Sequence, residues 1–324
     1  MILKPRKKPK HIHKLEALLR RLPRDHPKRE ILSESLNKRM AGYKGEQSLD
    51  YPLSFLSNQK FRIFHDVRLF DGTHYFQIDT LIISQHFILI VEVKNIKGIL
   101  YFDSDFNQLI RIREEKKEPF PDPVLQVEKQ SDQFEKWLQK TNFPKIPIES
   151  LVVIGSSQAI LQTSPNNEYI YKKVLLNNKF PFKMKEFQKV YQKEYLSIKQ
   201  IDHLSNQILK DHSPLEVDIL LQHSISKNEI LKGAQCSSCS FIPLEREKGK
   251  WRCSKCNSVS KKAHIKALHD YGLLIDDIIT NQEMRDFLYI SSSAVAKKIL
   301  TSMKLNYTGN NKGRVYSLKF EEYE

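Results

Sequence analysis

The chain has 324 residues, 40% hydrophobic and 28% charged, a balance that excludes disordered and fibrous classes and has room for two or three domains. Its longest apolar run, Phe87 to Val91, is far too short to span a bilayer, and the opening "MILKPRKKPKHIHKLEALLRR" lacks the apolar centre of a signal peptide, so a cytoplasmic protein with no membrane span is expected. Lys plus Arg number 53 against 38 Asp plus Glu, a formal net charge of +15, which points to a polyanionic partner.

In chain order, residues 1–35 form a basic extension, led by Lys4, Arg6, Lys7, Lys8 and Lys10 and passing into the helical pattern "KLEALLRRL". It reads either as a solvated segment or as a phosphate-binding arm. Residues 36–160 mix periods. "LNKRMAGYKGEQSLDYPLSFL" predicts one helix with Met40, Tyr43 and Leu49 inward, and "FRIFHDVRL" alternates as a strand. "QIDTLIISQHFILIVEVKN" is a hairpin, and "GILYFDSDFNQLIRI" two further strands around the turn-prone "DSD". "PDPVLQVEKQSDQFEKWLQ" begins a helix behind prolines, with Val124, Val127, Phe134 and Leu138 on one stripe, and "IESLVVIG" is a buried strand. The order is that of a mixed α/β domain. Residues 161–230 read as a helical linker in which Ser197 and Gln200 form a capping box ahead of "IKQIDHLSNQILKDH".

The hairpin places charges where a buried run should have none. If its turn centres on Gln85–His86, Asp79 faces Glu92, and opposed residues share a face with Cβ atoms roughly 4.5–5.5 Å apart. Lys94, two residues on, projects on that face too. Neighbouring carboxylates repel unless a cation joins them, Mg²⁺ takes oxygen ligands, and a lysine there could activate a bound water or offset charge on a phosphate. The other reading is a rim salt bridge between Lys94 and one acid.

The segments "AGYKGEQ", "QIDTLIIS", "VEVKNIKG" and "PDPVLQVEKQ" occur in that order over residues 40–155. "QID…VEVKN" resembles the D…ExK core of the PD-(D/E)xK nuclease superfamily, and the four segments together resemble the nuclease-related domain, NERD. The resemblance implies a restriction-endonuclease-like mixed sheet, Asp79 and Glu92 as ligands of Mg²⁺ or Mn²⁺ with the Val93 carbonyl as a third, and Lys94 as the water-activating or charge-stabilising residue. Glu46 and Gln126 would complete the site, and Gln130, one helical turn after Gln126, lies on the same face.

In residues 231–262 the run "CSSCSFIPLEREKGKWRCSKC" sets Cys236 and Cys239 ahead of Cys253 and Cys256, two CxxC knuckles aimed at one tetrahedral centre. It resembles a zinc ribbon holding one structural Zn²⁺, with iron or a redox dithiol as alternatives. Lys248, Lys250, Trp251, Arg252 and Lys255 interleave bases with an aromatic as a nucleic-acid surface would, while ribbons also bind proteins or brace a neighbour. Residues 263–324 read as two helices and a hairpin. Thr280 and Glu283 cap the first helix, Met284, Phe287, Leu288, Val295, Ile299 and Met303 face inward, and Val315, Ser317 and Phe320 alternate on the last strand. This resembles a small winged-helix domain, with Ser291, Ser292, Ser293, Lys297 and Lys298 for the major groove and Asn311, Lys312 and Arg314 on the wing. A protein-binding role for the same module is the alternative.

Together these readings describe a Mg²⁺-dependent endonuclease or DNA-processing nuclease delivered to double-stranded DNA by its C-terminal modules, with a homodimer as one arrangement for cutting both strands. The competing expectation is a non-enzymatic DNA-binding protein that keeps the nuclease fold as a scaffold.

Overall fold

The computed structural model describes residues 1–56, 59–141 and 143–319, apart from the Lys312 side chain, and Phe320 lies outside that set. Two compact units emerge, one of Met1–Arg6 and Met40–Leu215, the other of Lys7–Arg39 and the residues from Glu216 onward. Strand β1 (Ile2–Lys4) is followed by helices α1 (Lys10–Arg21), α2 (Arg29–Gln47) and α3 (Asp50–Ser54). Next come β2 (Arg62–Phe70), β3 (Tyr75–Ile83), β4 (Ile88–Lys94), β5 (Gly98–Asp103), β6 (Gln108–Arg113) and β7 (Lys116–Pro121). Helix α4 (Pro123–Lys140), β8 (Ile148–Ile154), β9 (Ala159–Thr163), α5 (Glu168–Lys173), β10 (Val174–Leu176), α6 (Phe180–Val190) and α7 (Ile198–Asp211) complete the first unit.

Its main sheet has the order β1-β2-β3-β4-β8-β10. Strand β4 is central, antiparallel to β3 and parallel to β8, so the sheet is mixed. Both faces of β4 are covered, which is why its sequence is nearly continuous in apolar residues. Ile88 and Ile90 join Val127, Phe134 and Leu204 on one side. Leu89, Val91 and Val93 join Leu53, Phe180 and Met184 on the other. A second sheet, β7-β6-β5-β9, adds Leu100, Phe102 and Leu109 to the first of these cores.

Several elements depart from the sequence reading. The single helix expected over residues 36–56 is two, α2 and α3, with the break at Ser48–Leu49 where the Ser48 hydroxyl bonds the Gly45 carbonyl. Residues 161–230, read as a helical linker, contribute the end of β9 and all of β10 to the two sheets, and the basic opening contributes β1. Strand β7 escaped notice because its two prolines and charges suit only an edge.

The second unit adds α8 (Ile219–Gln222), β11 (Glu245–Glu247), β12 (Lys250–Arg252), β13 (Val259–Ser260) and α9 (Ala263–Leu274). The chain continues through β14 (Ile278–Thr280), α10 (Asn281–Leu288), α11 (Ser293–Ser302), β15 (Tyr307–Thr308) and β16 (Val315–Ser317). Leu15, Leu18 and Leu22 of α1 pack with Ile219, Leu273 and Leu274. Cys236, Trp251 and Cys253 share a further core with Leu268, Met284, Leu300 and Tyr316. The buried Arg21 guanidinium pairs with Asp270 at 2.8 Å and donates to the Leu231 and Gly233 carbonyls, while its Nη2 has no hydrogen-bond partner among the described residues. Among the described residues no helix is long and apolar enough to cross a membrane.

Candidate metal-dependent nuclease site

The hairpin register is the one its turn predicts. Ile83 pairs with Ile88 and Thr80 with Val91, after a turn in which the Ser84 amide donates to the Phe87 carbonyl. Asp79 and Glu92 come next along the two strands. The buried Glu92 lies on the α4 side of the sheet, where Lys94 Nζ donates to its Oε1 at 2.6 Å and Gln130 Nε2 to its Oε2 at 3.0 Å. Lys94 Nζ also donates to Gln126 Oε1 at 2.9 Å. Asp79 Oδ2 accepts the Val93 amide at 2.9 Å. Helix α4 is aimed by its start, with Pro123 at the first position and the Asp122 carboxylate capping the Val124 amide.

Glu46 arrives from the end of α2. Gly45 makes this possible, since a Cβ there would sit 2.3 Å from Asn95 Cβ, and Asn95 Nδ2 donates to the Ala41 carbonyl of the same helix. The glycine-glutamate pair is thus a close-approach residue followed by a functional one. Burial pushes the Glu46 carboxyl up to about 7, Asp66 and Glu92 add repulsion, and Arg6 opposes both. Burial, then Glu92 and Glu46, hold the Asp79 carboxyl well above the usual carboxylate range, against the Val93 amide and Lys94. Three acids that repel one another through a partly buried site are hard oxygen donors suited to a divalent cation. Among the described residues they do not form a group of three ligand side chains within 4.8 Å, as the cysteines do.

Sequence reasoning missed Arg6, His65 and Thr80. Arg6 Nη1 donates to Glu46 Oε2 at 2.7 Å, and Nη2 donates to His65 Nδ1 at 2.9 Å and Thr80 Oγ1 at 3.3 Å. Lys4 Nζ donates to the His65 and Asp66 carbonyls, while Lys8 and Lys10 pair with Glu16 and Glu216. Lys4 and Arg6 are thus engaged inside the protein, while the Lys8 and Lys10 pairs are partly exposed. Nothing in a run of lysines and arginines separates Arg6 from its neighbours. "FHDV" did carry a signal, because Phe64 and His65 are both buried and break the alternation.

The four cysteine Sγ atoms lie within 4.8 Å of one another, with Cys236–Cys256 at 3.6 Å and Cys239–Cys253 at 3.5 Å. Tetrahedral zinc with Zn–S near 2.3 Å needs thiolates about 3.8 Å apart, so the set fits a zinc ion. Each knuckle closes alike, the Ser240 amide on the Cys236 carbonyl and the Asn257 amide on that of Cys253, and each ends in a left-handed residue, φ 60° and 58°. Between them β11 and β12 turn on Lys248–Gly249, both at positive φ. Trp251, expected on a nucleic-acid surface, is instead fully buried and donates to His264 Nδ1, whereas Lys248, Lys250, Arg252 and Lys255 are exposed.

Thr280 and Glu283 form the expected capping box, and Met284, Phe287, Leu288 and Ile299 are buried. Val295 is exposed, with Ala296 in the core instead, and at the last strand Tyr316 of β16 and Leu318 just beyond it are buried, while Val315 and Ser317 are half-buried. The cause is β14, unrecognised in the sequence, whose antiparallel pairing with β16 fixes which face turns inward. Ser292 caps α11, and the Ser293 hydroxyl donates to Asn281. Lys297 and Lys298 are exposed, Asn311 lies at the hairpin tip, and the Arg314 guanidinium rests over the Tyr307 ring at 4.1 Å. The Lys312 side chain lies outside the described part.

The fold and the hairpin site define a mixed α/β domain of nuclease-like build. Residues 41–155 match the family model of the nuclease-related domain, NERD. No curated protein matches the chain.

Proposed function

We propose that the protein is a Mg²⁺- or Mn²⁺-dependent phosphodiesterase acting on DNA, a cytoplasmic endonuclease or DNA-processing nuclease. The observation that carries this reading is the Glu92–Lys94–Gln126–Gln130 constellation beside Asp79. It is a hydrogen-bonded set of a carboxylate, an ammonium and two amides, with a second carboxylate on the adjacent strand.

Asp79 and Glu92 would hold the ion, with the Val93 carbonyl as a third ligand. When bound, the ion supplies Lewis-acid stabilisation and an acidified water. Gln130 fixes one oxygen of Glu92, and Gln126 steers Lys94. Two of the three Lys94 donors are used in those contacts, and the third is available to a water or a phosphate oxygen. Glu46 adds a carboxyl whose proton affinity near neutrality suits proton transfer.

The four cysteines support one structural zinc. The order α9-β14-α10-α11-β15-β16, with its three-stranded antiparallel sheet β14-β16-β15, supports a winged helix. In that reading α11 presents Lys297 and Lys298 to the major groove while Arg314 and Lys312 approach the backbone, and Ser292 acts as the cap that aims the helix.

The test is cleavage of supercoiled and linear DNA with Mg²⁺ or Mn²⁺. Glu92→Ala and Asp79→Ala should abolish cleavage and leave DNA binding intact, and undiminished cleavage by either variant rejects the assignment. One observation favours the scaffold reading, namely that both Glu92 oxygens are already engaged by side chains. Tight DNA binding with no cleavage by the wild type would establish it.

A further inference from the structure

We propose that Arg6 is a positioning residue of the nuclease-like site, so that the first six residues are a working part of that site although they precede the segment matched by the family model. This rests on the metal-dependent reading above.

Arg6 uses its donors inside the protein. Its side chain is 4% exposed. Nε donates to Asp50 Oδ1 at 3.3 Å, Nη1 to Glu46, and Nη2 to both His65 and Thr80. Four of the five guanidinium N–H groups are thereby used within the protein, so Arg6 acts through its partners rather than on a substrate.

Three of those partners adjoin Asp79. Glu46 is the α2 carboxylate, and Thr80 follows Asp79 on β3. His65 is the cross-strand partner of Thr80. Its neighbour Asp66 falls opposite Asp79, at a position the β2–β3 ladder omits, and takes a left-handed φ of 54°. A non-glycine residue in that conformation needs support from its surroundings. Lys4 supplies it, with Nζ 2.9 Å from the His65 carbonyl and 2.8 Å from that of Asp66. Strand β1 and the two residues after it therefore deliver two cations, Lys4 holding the kink opposite Asp79 and Arg6 tying Glu46 to the strand that carries Asp79. Groups that orient metal ligands from behind commonly change metal affinity or activity by about 10–100-fold when removed.

The experiment is Mn²⁺ binding to the full chain by electron paramagnetic resonance, alongside DNA cleavage and thermal melting. Wild type, Arg6→Gln, Arg6→Lys, Glu46→Gln and the Arg6→Gln/Glu46→Gln double variant are compared, with Asp79→Ala as the control that removes a ligand. Arg6→Gln should weaken Mn²⁺ binding and cleavage by about 10–100-fold. Arg6→Lys should rescue only part of the loss, because an ammonium lacks the planar fork needed to reach four partners. In the Glu46→Gln background the Arg6 substitution should cost much less, since the shared contact is already gone. Should Arg6→Gln melt too low to assay, Arg6→Lys and the Glu46→Gln cycle decide the question. Wild-type Mn²⁺ affinity and cleavage in folded Arg6 variants, with Asp79→Ala dead, overturns the role of Arg6 and leaves the nuclease reading standing. No Mn²⁺ binding and no cleavage by the wild type overturns the metal reading and the role of Arg6 with it.

Discussion

His65 is buried, and desolvation together with the Arg6 and Lys4 charges lowers its imidazole to about 3, so in the folded protein it is neutral and accepts from Arg6 through Nδ1. Its folded value lies below the unfolded one near 6.5, so the unfolded chain binds the extra proton first. The stability tied to this group is full above pH 6.5 and drains away as pH falls toward 3. Between pH 7.5 and pH 5 the wild type should therefore lose on the order of 2 kcal/mol more than His65→Gln, as read by urea unfolding. An identical pH dependence in the two proteins would show that His65 is not held neutral. Glu46 and Asp79 work in the opposite sense, because their raised values remove stability as pH rises toward neutrality. That opposition is what the catalytic reading expects of acids gathered to receive a cation.

At the scale of elements, the motif segments are explained by close approach and capping rather than by propensity. Gly45 admits Asn95, Gly155 admits the Ser48 hydroxyl, and Gly98 starts β5 at φ 103°. Gly45→Ala should lower stability by about 1–3 kcal/mol and shift the melting temperature accordingly, because the added methyl meets Asn95 side-chain and backbone atoms rather than a flexible tip. It should also reduce cleavage by displacing Glu46. Asp122→Ala should cost about 1 kcal/mol through loss of the α4 cap, measured by chemical denaturation. Strands β2 to β6, helix α4, β8, the knuckles and the α10 cap were legible in the sequence because period, turn residues and caps are local signals. Strands β1, β10 and β14 were not, being three-residue pieces that exist only because a neighbouring strand pairs with them.

At the scale of the whole molecule, the cysteine knuckles share a core with α9, α10 and α11 rather than standing apart as a self-contained ribbon. Stripping zinc with a chelator should therefore lower the melting temperature of the second unit and not merely loosen two turns. A colorimetric zinc assay should return one ion per chain, and Cys253→Ser should hold none. For DNA, replacing both Lys297 and Lys298 by alanine should weaken binding across sequences and reduce the slope of log affinity against log salt by about 2. An unchanged slope would place the phosphate contacts elsewhere.

The sequence by itself determined the hairpin and its acid pair, the amphipathic helix that carries Gln126 and Gln130, and the four-thiol centre. Each follows from spacing within a short stretch, where backbone geometry turns residue intervals into shared faces. Only the tertiary structure decided that Arg6 and Lys4 belong with the acids, that Trp251 is core, and which face of β16 turns inward. Those outcomes depend on which distant segment comes to lie alongside, and a partner some sixty residues away leaves no mark on local periodicity.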